Sequence, residues 1–89
     1  MVKTWKILFT QQAQKDAKKI SVAKLKGKVI KLLDILEEDP FKIPPNYEKL
    51  IGDLSGLYSR RINIQHRLVY QVYKKERIVK VIRLWSHYD

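Results

Sequence analysis

The stretch SGLYSRRINIQHRLVYQVY, residues 55–73, decides the fold because it has the aromatic and β-branched residues of paired strands. Four basic side chains are crowded into it, namely Arg60, Arg61, His66 and Arg67. A charged side chain is costly to bury without a partner. The sheet therefore either meets water on one side or holds an anion there.

Side-chain alternation answers part of that question, because successive residues of a strand point to opposite faces of the sheet. If Leu68, Tyr70 and Val72 pack against helices, Arg67 stands on the other, open face. Arg60 and Arg61 are neighbours in the chain, so only one of them can join Arg67, and the pattern does not decide which. The alternation pattern favours a solvent-exposed, positively charged concave face of the sheet.

The N-terminal half predicts one strand and two helices. Residues 5–9 alternate as in a half-buried strand, and Thr10 is a suitable N-cap for a first helix. Ser21 is expected to cap a second helix, which Pro40 ends before the loop DPFKIPPN, residues 39–46. The second helix has one continuous apolar face, made of Val22, Leu25, Val29, Leu32, Leu33 and Leu36.

Three more strands are predicted at residues 58–64, 67–73 and 78–85, with a turn at Gln65 and His66. His66 is expected to be structural or exposed. The fold class is α+β, in the order β-α-α-β-β-β, with an antiparallel sheet that carries both N-terminal helices on one face. At 89 residues the chain is expected to form a single domain, residues 1–89, with a core that needs no disulfide or metal.

The net charge of +10 makes a polyanion the first partner to consider. The charge is +8 over residues 1–31, −4 over 32–57 and +6 over 58–89, and an acidic protein would be drawn to the same field. Without cysteine, disulfides and thiolate metal sites are excluded, and no cofactor or metal is expected. No apolar stretch is long enough for a membrane span, and we expect a cytoplasmic protein.

Residue types suited to cutting RNA without metal are present. The reaction needs a base for the 2′-hydroxyl proton, a cation for the charged phosphorane and an acid for the leaving 5′-oxygen. Glu48, Arg67 and His87 are candidates for these roles, and Tyr88 can stack on a base. Each also has an ordinary alternative: a solvated glutamate, a cross-strand salt bridge, or a chain terminus without a function.

Two strings in combination resemble a known family. EKLIGDLSGLYSRRINIQHRLVYQV, residues 48–72, followed by RLWSHYD, residues 83–89, resembles the YoeB/Txe toxins of bacterial type II toxin–antitoxin modules, a branch of the RelE superfamily. The likeness is densest over residues 47–88. It implies a RelE-like toxin fold and an endoribonuclease that cuts messenger RNA in the ribosomal A site without metal, inhibiting translation.

The resemblance also implies roles for individual residues. Glu48 matches the general base, Arg67 the group that stabilises the phosphorane, and His87 the general acid. Tyr88 matches a base-stacking or phosphate-contacting group, and Arg61 is our choice for a phosphate-binding arginine. Two positions depart from the family pattern. Some relatives carry a lysine where this chain has Ile51, with Lys49 the nearest candidate for substrate binding, and here Asp89 follows the tyrosine.

The partners that the resemblance implies are a cognate antitoxin, the ribosome with its ribosomal RNA, and messenger RNA, with no membrane involved. It leaves open a homodimer or a toxin–antitoxin hetero-oligomer. Two alternatives remain at this point: a non-catalytic, ParE-like toxin that acts by protein–protein contact on the same fold, and a plain RNA-binding module.

Overall fold

The computed structural model describes residues 4–50 and 56–86 of the chain. Within these residues the helices and strands are β1 (Lys6–Phe9), α1 (Gln11–Val22), α2 (Lys26–Glu38), β2 (Glu48–Lys49), β3 (Leu57–Arg61), β4 (Arg67–Tyr73) and β5 (Ile78–Ser86). The strands form one sheet in the order β1-β5-β4-β3-β2. β1 runs parallel to β5, and every other neighbouring pair is antiparallel.

This arrangement confirms the predicted α+β fold class, with two N-terminal helices and consecutive antiparallel pairing of the last three strands. The structure adds two details. β2 is only two residues long and carries no strand-like pattern, and β1 pairs with the last strand of the chain. The strand predicted for residues 58–64 ends at Arg61, because Ile62 N–H turns back to donate to the His66 carbonyl at 2.8 Å.

Helix α1 begins as the sequence predicts. The Thr10 side chain accepts a hydrogen bond from Ala13 N–H at 3.0 Å, which satisfies one of the free N–H groups at the helix start. The same hydroxyl donates to the Ile82 carbonyl at 2.9 Å. The cap therefore also joins the start of α1 to strand β5.

The predicted start of the second helix is wrong. Ser21 lies inside α1, and α2 begins at Lys26 after Leu25, which makes no side-chain capping bond. The physical reason is a Schellman turn: Lys24 takes a left-handed conformation with φ 61°, and Leu25 N–H donates to the Ile20 carbonyl. Val22, predicted on the apolar face of α2, is instead in α1 with 84% of its surface exposed.

The helices and one face of the sheet bury a common core. Leu68 and Tyr70 of β4 are fully buried in it, as the alternation predicts, and Val72 packs against it. His66 is also buried. The buried members of the core are Ala13, Ile20, Val29, Leu32, Leu36, Ile62, Leu68, Tyr70, Val79, Val81 and Leu84. Neither helix of the described chain has the length and apolar character needed to cross a membrane.

One buried charge ties α1 to β5. Asp16 is fully buried, and its carboxylate accepts hydrogen bonds from Arg83 Nε at 2.8 Å, Leu84 N–H at 3.2 Å and Gln12 Nε2 at 3.0 Å. Burial by itself raises the pKa of Asp16, but these hydrogen bonds outweigh it and hold the pKa below its ordinary value. The contact fixes β5 against the helix where the register with β4 is irregular.

Candidate active site

A cavity opens on the side of the sheet where β2, β3 and β4 meet. Its volume is about 520 Å³. One wall comes from the end of the proline-rich loop, and the floor comes from alternate residues of the strands. The lining residues are Pro45, Asn46, Tyr47, Glu48, Ser59, Arg61 and Arg67.

An ion pair lies in this cavity. Arg67 Nη1 is 3.0 Å from Glu48 Oε1 and 3.3 Å from Ser59 Oγ. The register explains the contact, because Glu48 pairs with Ser59 across β2 and β3, while Arg67 pairs with Arg61 across β3 and β4. All four side chains therefore share one face of the sheet. Two residues predicted from the sequence as base and phosphate ligand are brought together.

The structure decides between the two neighbouring arginines. Arg61 is exposed and lines the cavity, whereas Arg60 is fully buried on the opposite side of β3. Arg61 lies directly across from Arg67, and like charges in such a pair repel each other. Among the described residues that line the cavity, Glu48 is the one acid beside two guanidinium groups, and this charged lining favours an anion.

Arg60 has a different setting. Its Nη2 donates to the carbonyls of Pro40 and Lys42, both at 2.9 Å, and its Nη1 donates to the carbonyl of Pro45 at 2.7 Å. Its Nε donates to the Tyr70 hydroxyl at 3.2 Å, and that hydroxyl donates to the Pro40 carbonyl at 2.9 Å. Burial raises the pKa of Tyr70 to about 12, although the charge and hydrogen bond of Arg60 oppose the shift.

Aromatic rings fill the space between the loop and the sheet. Tyr58 stacks on Tyr70 with ring centroids 5.7 Å apart, and it meets the rings of Phe41 and Tyr47 edge-on at 5.3 and 5.7 Å. The Arg60 guanidinium lies 5.2 Å from the Tyr47 ring centroid. The loop wall of the cavity thus rests on a packed cluster.

The other predicted site residues are placed differently. Lys49 is exposed and is not among the residues that line the cavity, so its part in substrate binding stays a prediction. His87 and Tyr88 lie outside the described residues. Ser86, which directly precedes His87 in the chain, pairs with Arg67 across β4 and β5.

The sequence reasoning missed four of the seven residues that line the cavity, namely Pro45, Asn46, Tyr47 and Ser59. Ser59 stands two residues before Arg61 in LYSRR, so strand alternation alone would have put both on one face. Tyr47 gives no such signal, because its position depends on the path of the loop. Among residues 4–50 and 56–86, no three potential carboxylate or imidazole ligands for a metal lie together.

Comparison with known proteins shows the family of the chain. Residues 8–88 match the family model described as YoeB-like toxin of bacterial type II toxin–antitoxin system. Toxin YoeB of Streptomyces coelicolor is 46% identical over 48 residues, which are 54% of this chain and 57% of that toxin. Toxin YoeB of Mycobacterium bovis is 38% identical over 61 residues, 68% of this chain and 69% of that toxin.

Solved structures give the same result for the fold. A YoeB/ParE toxin from Agrobacterium tumefaciens superimposes with a TM-score of 0.84 at 30% identity, covering 93% of this chain and 99% of that one. The YoeB–YefM complex from Staphylococcus aureus gives a TM-score of 0.79 at 34% identity, covering 94% of this chain and 98% of that one. The resemblance found in the sequence is confirmed, and the chain belongs to the YoeB-like toxins of bacterial type II toxin–antitoxin systems.

Proposed function

We propose that this toxin is an endoribonuclease that cleaves messenger RNA in the ribosomal A site by general acid–base catalysis, without metal, and so inhibits translation. The observation that carries the proposal is the approach of Glu48 to Arg67 at 3.0 Å in an open cavity that Arg61 also lines. A carboxylate base and two cations beside it suit a phosphodiester that has a 2′-hydroxyl.

The proposed chemistry assigns each group one task. Glu48 takes the proton of the 2′-hydroxyl, and the 2′-oxygen attacks phosphorus. Arg67, with Arg61 beside it, stabilises the negative charge of the phosphorane. The bond from phosphorus to the 5′-oxygen then breaks, and His87 gives that oxygen a proton, leaving a 2′,3′-cyclic phosphate and a free 5′-hydroxyl. Tyr88 stacks on a base or contacts a phosphate.

The assignment of His87, which lies outside the described residues, rests on its chemistry and on the family resemblance. The net charge of +10 supports a partner rich in phosphate, as the ribosome and its messenger are. Basic residues of α1 and α2 would contact ribosomal RNA while the sheet face holds the messenger.

We further propose an antitoxin partner with an acidic segment that folds onto the toxin and blocks the cavity. The Staphylococcus aureus neighbour is a complex of YoeB with YefM. Charge attraction would speed the encounter, and folding on contact would let a flexible segment cover a large surface.

Substitution of Glu48 tests the enzymatic assignment. The Glu48 side chain is 63% exposed, so its ion pair contributes roughly 0–1 kcal/mol to stability. Glu48→Gln should therefore fold and bind ribosomes as the wild type does, but cleave on the order of 10²-fold more slowly. His87→Ala should behave in the same way. Glu76→Gln, an exposed turn glutamate, is the matched control.

Mapping of messenger 5′ ends separates the enzyme from a ParE-like toxin that acts by protein contact. Purified protein is added to translating ribosomes, and new ends linked to codons are expected with the wild type and largely lost with the two variants. Translation arrest without new ends would support the contact-based alternative. Wild-type cleavage by both variants would overturn the assignment of base and acid.

A further inference from the structure

The buried arginine beside the site is the strongest feature that the proposed chemistry leaves unused. Arg60 is fully buried, and within the described chain its acceptors are all uncharged: three backbone carbonyls and one hydroxyl. A permanently charged group in such a place is costly unless most of its N–H groups are satisfied. Here Nε, Nη1 and Nη2 all donate. The contacts span residues 40–45, so one side chain holds most of the loop.

Among the described residues, the other contacts of the loop with the sheet are the Tyr70 hydrogen bond to the Pro40 carbonyl and the packing of Phe41 and Tyr47 against Tyr58. Pro44 and Pro45 have no N–H to donate, so they cannot join a strand ladder through their nitrogens. The carbonyls of Pro40, Lys42 and Pro45, which a regular strand would direct to a neighbour, accept from Arg60 instead. The position of the loop therefore depends on the guanidinium fork and on the aromatic rings around it.

Glu48 follows this loop almost at once. The Pro45 carbonyl, held at 2.7 Å by Arg60, is three residues before Glu48 in the chain. β2 itself comprises only Glu48 and Lys49, so its pairing with β3 gives little independent support. Pro45, Asn46 and Tyr47 also form one wall of the cavity. A shift of the loop would move both that wall and the carboxylate.

We propose that Arg60 is a positioning residue for Glu48: by holding the proline-rich loop against β3, it keeps the carboxylate in the cavity beside Arg67, where it can take the proton of the 2′-hydroxyl. The inference rests on the proposed function, in which Glu48 is the base. Under this inference the two adjacent arginines have different roles. Arg61 faces the anion, and Arg60 holds the wall behind it from the other side of the same strand.

The test uses Arg60→Lys in the full chain. Lysine keeps the charge but lacks the fork that reaches carbonyls on both sides, so the loop should loosen. We expect the single-turnover cleavage constant on programmed ribosomes to fall about 10- to 100-fold, the range that a misplaced catalytic group causes. The toxin concentration at half-saturation should change less than about twofold, because Arg60 is fully buried and offers no surface to the ribosome. Arg77→Lys, a distant arginine in a turn, is the control.

A double-mutant cycle with Glu48→Gln distinguishes positioning from general loss of stability. If Arg60 acts through Glu48, adding Arg60→Lys to Glu48→Gln should cost less than about twofold more, because the group it positions is already inactive. Equal losses in both backgrounds would refute the inference, as would wild-type cleavage by Arg60→Lys. If Glu48→Gln itself cleaves normally, the proposed function fails instead, and the two failures are distinguishable.

A second variant covers the case in which Arg60→Lys does not fold. Tyr70→Phe removes the hydroxyl that links Arg60 to the Pro40 carbonyl and leaves the ring stack in place. It should lower the cleavage constant about 3- to 10-fold, again only when Glu48 is present. Unchanged cleavage by folded Tyr70→Phe, together with a misfolded Arg60→Lys, would overturn the positioning role and leave Arg60 as a purely structural residue.

Discussion

Replacement of Asp16 by asparagine should weaken the attachment of β5 to α1. The carboxylate accepts from Arg83 Nε and Leu84 N–H through the same oxygen, Oδ2, at 2.8 and 3.2 Å. An asparagine amide has one acceptor oxygen and one NH₂ group, so it can keep Arg83 and Leu84 only if its oxygen takes the place of Oδ2 and the Gln12 amide turns to accept from the NH₂ group. In every arrangement the charge that strengthens the Arg83 contact disappears.

The size of the effect follows from the burial of the two partners. Breaking a fully buried ion pair costs about 3–5 kcal/mol. The Asp16 side chain is fully buried, but that of Arg83 is 37% exposed and can turn to water, which reduces the cost. We expect Asp16→Asn to lower the free energy of unfolding by about 2–4 kcal/mol. For a domain of this length that lowers the melting temperature by about 10–20 °C.

The measurement is chemical and thermal unfolding followed by circular dichroism, at several pH values. Because the folded pKa of Asp16 is depressed, its contribution is full above the ordinary value of 3.8 and is lost as the pH falls through the folded pKa. The difference in the free energy of unfolding between wild type and Asp16→Asn should therefore be largest at neutral pH and smaller in acid. Glu76→Gln is the control, with a change below about 0.5 kcal/mol. A difference in the free energy of unfolding below about 0.5 kcal/mol at pH 7 would refute this account, and so would a difference at pH 3 as large as that at pH 7.

Further predictions concern single residues and the charge of the chain. Lys24→Gly should raise stability by about 1 kcal/mol, because Lys24 has φ 61°, which glycine adopts without strain; a lower melting temperature would contradict this. Thr10→Ala should lower stability by about 1–2 kcal/mol, since both the helix cap and the bond to Ile82 are lost; unchanged unfolding would count against the cap. Tyr70, with a pKa raised to about 12, should stabilise the fold below pH about 10 and lose that contribution as the pH rises through about 12. Absorbance titration against Tyr70→Phe measures it, and an ordinary pKa would refute it. Affinity for single-stranded RNA should fall by about 0.7 log units per log unit of salt for each phosphate neutralised, and a flat salt response would exclude phosphate contacts.

The periodic parts of the sequence predicted the fold well. Strand alternation separated Tyr70, which is buried in the core, from Arg67, which lines the cavity. The helix boundary at Ser21 was wrong because serine is a common cap, whereas the real boundary depends on a left-handed lysine that has no sequence signal. Local sequence patterns predict whether a segment is a helix or a strand, but they do not predict the conformation of a single turn residue.

The candidate site was predictable only where it follows strand register. Arg67 could be placed by alternation, whereas Glu48 was chosen for its chemistry and for its match to the family, because its strand has no pattern of its own. The choice between Arg60 and Arg61 needed coordinates, because both residues fit either face. What decides it is a set of carbonyls from residues 40–45, more than a dozen positions away in the chain, that only the folded loop presents to Arg60.

The exposure of the Glu48–Arg67 pair bears on how a substrate would use the site. Under the proposed function, an RNA phosphate must replace the Glu48 carboxylate at Arg67 and leave that carboxylate free to take a proton. The side chains are 63% and 26% exposed, so the pair is worth roughly 0–1 kcal/mol, and a phosphate that also meets Arg61 can displace the carboxylate at little cost. Had the pair been buried as Arg60 is, exchange would leave a charge unpaired at a cost of several kcal/mol. On the open face of the sheet a guanidinium can therefore exchange a carboxylate for a phosphate. On the face that packs against the helices a guanidinium is buried, and its role is structural.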